Sequence, residues 1–123
     1  MTDLVFAVDT RDEHSARAAA LLAEIGPVHD LAQRTEADVV AEVANAAVTG
    51  IATYSETMLP TAARLAAALG LPFHSPTTAA ALTSKAAQRL RLNSAGVGSV
   101  GQCSVADLAE LADAVAAVGP PVV

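Results

Sequence analysis

The sharpest chemical feature of this sequence is a single lysine. Lys85 is the only lysine in the chain, and Arg89 follows four residues later, which places both on one face of a helix. A lysine at the edge of a helix can hold a phosphate as a point charge. On spacing alone, a solvated basic helix face is the more frequent explanation, because lysine is rarely buried.

A second candidate site is formed by Ser55 and Glu56, which directly follow a predicted strand at residues 50–54. The carboxyl ends of parallel strands are where open α/β sheets bind ligands. A serine and a glutamate at this position can instead cap the next helix and add negative charge to its first turn. The spacing does not decide between a substrate site and a helix cap.

The remaining polar residues carry weaker signals. The loop at residues 9–15 contains no glycine and several acids, which excludes a dinucleotide fingerprint and leaves a solvated helix start. The three histidines have no metal-ligand spacing, and Cys103, the only cysteine, has no nearby histidine. No metal site is therefore predicted. Ser55 also lacks the flanking glycines of a hydrolase nucleophile.

Two periodicities alternate along the first part of the chain. Short apolar runs predict strands at residues 4–8, 28–31, 50–54 and 71–73, and helical spacing predicts helices at 13–25, 36–48 and 59–69. This alternation favours an α/β fold with a parallel sheet. Beyond it, helix starts are predicted at Ser75–Pro76, at Thr83 or Ser84, and at Ser104 for a helix over 105–118.

The composition limits which residues can form the core and which partners are possible. Hydrophobic residues make up 53% of the chain and aromatic residues only 2%, so the core must consist of Ala, Leu and Val. A net charge of −6 argues against nucleic acid as the main partner. The start of the chain lacks the features of a signal peptide, and no apolar run is long enough to span a bilayer. We therefore expect no membrane partner and a cytoplasmic location.

Taken in order, several segments resemble a known superfamily. Tyr54-Ser55-Glu56 follows a strand, Leu69-Gly70-Leu71-Pro72 precedes Ser75-Pro76, and a helix over 85–89, an Ala95-Gly96-Val97 turn and a Gly-Pro-Pro-Val-Val end follow. This pattern resembles the amino-terminal part of ATP-grasp enzymes of the biotin carboxylase and carboxylate–amine ligase type. The closing Val122–Val123 looks like the opening of an unfinished strand, although a frayed tail is an equal alternative.

The resemblance implies three regions. A Rossmann-like, three-layer pre-ATP-grasp domain with a parallel sheet would occupy residues 1–75. A helical connector would occupy residues 76–96, and the truncated start of the ATP-grasp lobe residues 97–123. Relatives use ATP to convert a carboxylate or bicarbonate into an acyl phosphate, which an amine or similar nucleophile then attacks. The resemblance assigns Lys85 to ATP and Ser55 and Glu56 to the substrate cleft, and it places the magnesium ligands outside this chain.

The resemblance also implies the partners. A small-molecule substrate and the rest of the same polypeptide are expected, and this piece alone is expected to be inactive. The missing lobe would normally cover Leu108, Leu111 and Val115. Without that lobe their apolar face is exposed, which favours a homodimer. The alternatives are a stand-alone Rossmann-like module that holds a small anion at the carboxyl edge of the sheet, or an interaction domain with Ala-rich helices as its surface.

Overall fold

The chain folds into a mixed α/β structure, and a computed structural model describes its residues 4–98 and 101–119. Strand β1 is Phe6–Val8 and strand β2 is Val28–Asp30. The helices are α1 (Glu13–Leu22), α2 (Glu36–Ala44), α3 (Leu59–Leu69), α4 (Pro76–Leu82), α5 (Lys85–Ser94) and α6 (Leu111–Val118), and a 3-10 turn covers Leu108–Glu110.

The two strands are parallel and joined by α1. Phe6 is opposite Val28, Ala7 opposite His29 and Val8 opposite Asp30. Helix α1 begins because the Asp12 carboxylate accepts a hydrogen bond from the Ser15 amide at 2.8 Å. The predicted βαβ start is therefore confirmed, although α1 ends at Leu22, three residues before the predicted end.

The prediction of a strand at residues 50–54 is wrong, because no strand forms there. The Ser55 amide donates to the Thr53 hydroxyl at 3.2 Å, and this hydroxyl in turn donates to the Ser55 carbonyl. Such local bonds replace the partners that a strand ladder would supply. The sheet in the described residues therefore has two strands, and the Rossmann-like three-layer arrangement stays a prediction.

The strand predicted at residues 71–73 is also wrong. The Leu71 amide donates to the Ala66 carbonyl at 2.8 Å and so closes the end of α3, while Gly70 takes a left-handed conformation with φ of 67°. Pro72 has no amide proton to give to a neighbouring strand. The chain therefore passes from α3 to α4 through a turn.

The core of the described residues lies mainly between helices α2, α3 and α4. Val39 and Val43 of α2 pack with Leu65 of α3 in one buried cluster. Small side chains fill the other buried positions of the described residues, namely Ala62, Ala63, Ala66 and Ala79. The buried positions of the described residues are thus Ala, Leu and Val, as the composition predicts. The predicted extension of α2 to residue 48 is wrong, because Asn45 caps the helix and the chain then turns.

The later helices start where side chains cap them. The hydroxyls of Ser75 and Ser84 accept the amides of Thr78 and Ala87, which confirms both predicted starts. The start predicted at Ser104 is wrong: the Asp107 carboxylate accepts the amides of Ala109 and Glu110 and begins the 3-10 turn that leads into α6. The strand predicted at Val122–Val123 lies outside the described residues. No helix within residues 4–98 and 101–119 has the length and apolar character needed to cross a membrane.

Candidate functional site

Lys85 is the first residue of α5, and its side chain is exposed. Ser84, which caps the helix, fixes the direction of the turn that carries it. The first turn of a helix bears partial positive charge, so a lysine gains no stabilisation at this position. Local helix stability therefore does not explain this cation, whereas a bound anion would interact favourably with both the ammonium and the helix end.

The cationic side chains of α5 differ in their ion pairing from the arginines that precede them in the chain. Arg11, Arg17, Arg34 and Arg64 each contact a carboxylate. Within residues 4–98 and 101–119, no such ion pair is formed by Lys85, Arg89 or Arg91. Helix α5 is therefore the part of the described structure where positive charge remains without a local counter-charge. Arg89 is half-buried, while Lys85 and Arg91 are exposed.

Ser55 and Glu56 lie in the exposed turn before α3. The Ser55 hydroxyl lies 2.8 Å from that of Thr57, and the Glu56 carboxylate has no hydrogen-bond partner in the described part of the chain. Neither side chain caps α3, whose cap position is Met58 without a side-chain bond. Capping therefore does not explain these residues. Lys85 and Glu56 are not within ion-pair distance, so the structure does not join the two predicted sites.

The carboxyl edge of the sheet is closed by an arrangement that the sequence analysis missed. Asp30, at the end of β2, accepts the Thr10 hydroxyl at 2.6 Å, the Ala32 amide at 2.9 Å and the Thr10 amide at 3.2 Å. These bonds, that from the Thr10 hydroxyl first, hold the pKa of the Asp30 carboxyl below its ordinary value. The sequence could have indicated this contact, because Thr10 follows β1 and Asp30 ends β2, and these two parallel strands are adjacent.

The rest of this edge is also engaged locally. Arg11 donates to both carboxylate oxygens of Asp9, and this bond lowers the pKa of the Asp9 carboxyl. The edge therefore presents two ionised acids, Asp9 and Asp30, and one arginine that is already paired. This arrangement opposes the binding of a phosphate, in agreement with the absence of a dinucleotide fingerprint in the sequence.

A polar cluster on the other side of β2 links the strand to α2. His29 Nδ1 lies 2.7 Å from a Glu42 carboxylate oxygen, and the other Glu42 oxygen contacts Arg34. The His29 side chain is mostly buried. No spacing in the sequence indicates this cluster, because Glu42 reaches both His29 and Arg34 only in the folded chain.

The cavity between α2 and α3 is a groove of about 390 Å³. Apolar side chains line it, with Glu36 and Arg64 at its edge, and none of the predicted site residues reaches it. In the part of the chain that the structure describes, no three His, Cys, Asp or Glu side chains are placed to hold a metal ion. The described residues thus offer an unpaired cation for a phosphate but no ligand set for magnesium.

Comparison with known proteins identifies the family. The model of the ATP-grasp N-terminal domain matches residues 3–73. No curated protein and no solved structure gives a match. The matched region holds the β1–α1–β2 unit, α2, α3 and the turn with Ser55 and Glu56. Since it covers more than half of the sequence, the chain belongs to the ATP-grasp N-terminal domain family.

Proposed function

We propose that this chain is the N-terminal part of an ATP-dependent ligase. The enzyme would convert a carboxylate or bicarbonate into an acyl phosphate, which an amine or similar nucleophile then attacks. The single observation that carries this proposal is the match of the ATP-grasp N-terminal domain over residues 3–73. A domain of this kind belongs to a larger enzyme, so the rest of the same polypeptide is its expected partner. The proposed reaction takes place on the assembled protein.

Lys85 is the residue that we assign to ATP. ATP, when bound, supplies the phosphoryl group. The ammonium of Lys85 is exposed, has no carboxylate partner in the described residues and stands at the positive end of α5. It can therefore lower the energy of a phosphate without first breaking an ion pair. We assign the magnesium ligands to another part of the enzyme, as the family resemblance implies.

Glu56 and Ser55 are the residues that we assign to the substrate cleft. The Glu56 carboxylate is exposed and without a hydrogen-bond partner in the described residues, so it can accept a hydrogen bond from an amine. The Ser55 hydroxyl is paired with that of Thr57 and retains acceptor capacity. The proposed role is to hold and orient the nucleophile, with proton transfer open to the carboxylate.

The structure gives less support to the alternative of a stand-alone module that holds an anion at the sheet edge. That edge carries the ionised carboxylates of Asp9 and Asp30, which would repel the ligand. The unpaired cations lie instead on α5, outside the sheet. We propose that residues 1–75, 76–96 and 97–123 serve as the first domain, the connector and the start of the next lobe of such a ligase. We also propose a cytoplasmic location.

The test is ADP release by the complete protein that contains this chain. The protein is supplied with ATP and magnesium, and then with bicarbonate or small carboxylic acids, with and without amines. We expect ADP release to require one of the acceptors. A response to bicarbonate indicates the biotin carboxylase type, and a response to a carboxylate plus amine the other type. ATP hydrolysis that ignores every acceptor, or no ATP binding by the complete protein, would overturn the proposal.

The chain of 123 residues provides a second, independent test. By calorimetry it should bind ATP weakly at most, and it should release no ADP, because one lysine supplies only a small part of a nucleotide site. Tight, magnesium-dependent binding by this chain alone would contradict the assignment of most contacts to another part of the enzyme.

A further inference from the structure

The charges of this chain are divided into blocks. No Asp or Glu occurs between Glu56 and Asp107, and no Lys or Arg occurs after Arg91. Helix α5 carries Lys85, Arg89 and Arg91, while the last part of the chain carries only acids, at Asp107, Glu110 and Asp113. A positive surface is thus followed by a negative segment within the same chain.

Apolar residues lie within each of these charged surfaces. Leu90 is 61% exposed, and Arg89 and Arg91 stand about 100° to either side of it around α5. Leu108 is 86% exposed and Leu111 is exposed as well, with Asp107, Glu110 and Asp113 near them along the chain. Each surface therefore combines exposed leucine with charge of one sign, and the two signs are opposite.

The two surfaces do not cover each other within one molecule. Helix α6 packs mainly on the 3-10 turn Leu108–Glu110 that precedes it. Leu90 and Leu108 both remain exposed, and no ion pair joins α5 to the acidic segment in the described residues. Within the described residues of one chain, the opposite charges of these two surfaces therefore do not pair with each other.

The exposed area of the chain is large enough to accommodate a partner. Its accessible surface is 8667 Å² at a mass of 12.3 kDa, whereas a folded monomer of this mass exposes about 6,100 Å². A standard interface removes about 800 Å² from each partner, which is well below the difference. Two contacts of this size together remove less area than this difference.

We propose that two copies of this chain associate reciprocally, with the acidic segment 105–118 of each copy docked on the α5 surface around Leu90 of the other. A closed dimer then contains this contact twice, related by a two-fold axis. Leu108 and Leu111 meet Leu90, and Glu110 and Asp113 face Arg89 and Arg91. Leucine burial supplies most of the affinity, and the charges set partner choice and orientation. The proposal does not depend on the ligase chemistry.

The test is sedimentation velocity of the 123-residue chain over a concentration series. One variant carries Arg89→Glu and Arg91→Glu, and the other carries Glu110→Lys and Asp113→Lys. We expect the unmodified chain to dimerise, and its dimer to weaken as salt screens the charge pairs. Each variant should dimerise at least about tenfold more weakly, because like charges then face each other. Glu24→Lys, an exposed reversal outside both surfaces, serves as the control and should leave the dimer unchanged.

The decisive step is to mix the two variants. A mixed dimer contains one copy of each variant. In one contact, the unmodified acidic segment of the first variant meets the unmodified α5 surface of the second. In the other contact, the introduced lysines of the second variant meet the introduced glutamates of the first, so both contacts pair opposite charges. An equimolar mixture should therefore regain the mass of a dimer. Docking of segment 105–118 on α5 of the same chain gives no mixed dimer and would overturn the proposal. A chain that is monomeric at every concentration, or a dimer that neither variant weakens, would overturn it as well.

Folding of each variant is checked by circular dichroism before sedimentation. The Glu110 carboxylate accepts the Ala106 amide at 2.9 Å, so its reversal can disturb the turn. Should a variant fail to fold, the neutral pairs Arg89→Gln with Arg91→Gln and Glu110→Gln with Asp113→Asn replace the reversals. Each neutral pair should weaken the dimer by a smaller factor. A dimer that the neutral pairs leave at full affinity would contradict the proposal.

Discussion

Arg64 and Glu36 join α3 to α2 through a two-point contact. Arg64 Nε lies 2.8 Å from one Glu36 carboxylate oxygen, and Nη2 lies 2.5 Å from the other. Thr61 on the same helix accepts a further bond from Nη2 at 3.0 Å, which fixes the guanidinium. The pair spans 28 positions of sequence and lies at the edge of the groove between the two helices. It therefore fixes the position of α2 on α3 next to the buried cluster that contains Val39 and Leu65.

A double-mutant cycle of Glu36→Gln and Arg64→Gln should give a coupling free energy of about 0.5–1 kcal/mol at neutral pH, since both side chains are partly exposed. The measurement is urea unfolding of the two single variants, the double variant and the unmodified chain. Glu24→Gln, an exposed acid with no side-chain partner in the described residues, is the control and should change stability little. A coupling of zero would mean that the contact does not stabilise the fold.

The same pair should make stability depend on pH. The hydrogen bond from Arg64 lowers the pKa of Glu36 below its ordinary value of 4.5. The folded state then binds the proton less readily than the unfolded state, so the stabilisation is present above pH 4.5 and is lost as pH falls through the lowered pKa. The unmodified chain should lose more stability than Glu36→Gln between neutral pH and pH values below about 4. An equal loss in both proteins would contradict this linkage.

The sequence predicts those elements whose signals are local. Ser75, Ser84 and Asp12 are short polar residues placed where a helix starts, and the helices α1, α4 and α5 begin beside them. The strand predicted at residues 50–54 fails because its apolar run contains Thr53, whose hydroxyl bonds to the backbone of Ser55. Propensity describes single residues, and in this segment a side-chain bond to the backbone decides the outcome.

The candidate site is predicted only in part for a similar reason. Lys85 stands out in the sequence as the only lysine, and the structure places it exposed and without an ion pair in the described residues. The hydrogen bond of Thr10 to Asp30 and the contact of His29 with Glu42 depend on how the strands and helices pack. Contacts between residues that are distant in sequence leave no local pattern to read.

Gly26 is required by close approach of the backbone. A Cβ atom built at this position would lie 2.2 Å from the Leu4 carbonyl oxygen, so the chain before β1 would have to move. Gly26→Ala should therefore cost about 1–3 kcal/mol of unfolding free energy. At Gly50 a Cβ atom meets nothing within 4 Å, and Gly50→Ala should be neutral or stabilising by up to about 1 kcal/mol. Thermal unfolding of both variants checks the contrast, which equal midpoints would refute.

Ala47 should become more stable as glycine. It has a φ of 48°, in the left-handed region, where a β-carbon costs about 1–2 kcal/mol. Glycine removes this cost but adds entropy to the unfolded chain, so we expect Ala47→Gly to stabilise by about 0.5–1 kcal/mol. Ala41→Gly is the matched control: Ala41 lies inside α2, and glycine there should destabilise by about 1 kcal/mol. Urea midpoints that shift in the same direction for both variants would exclude this explanation.

Lys85 should matter for ATP but not for folding. In the complete protein we expect Lys85→Ala to lower kcat/KM for ATP about tenfold or more, because a charged hydrogen bond to the phosphate is lost. Lys85→Arg should restore part of the activity, since it keeps the charge with a different geometry. Arg17→Ala is the control, because that exposed cation is paired with Glu13 on α1, away from the proposed site. ADP release gives the kinetics, and circular dichroism shows whether each variant is folded. A folded Lys85→Ala with unchanged kinetics would make Lys85 a solvated surface cation and would remove the assignment of ATP to α5.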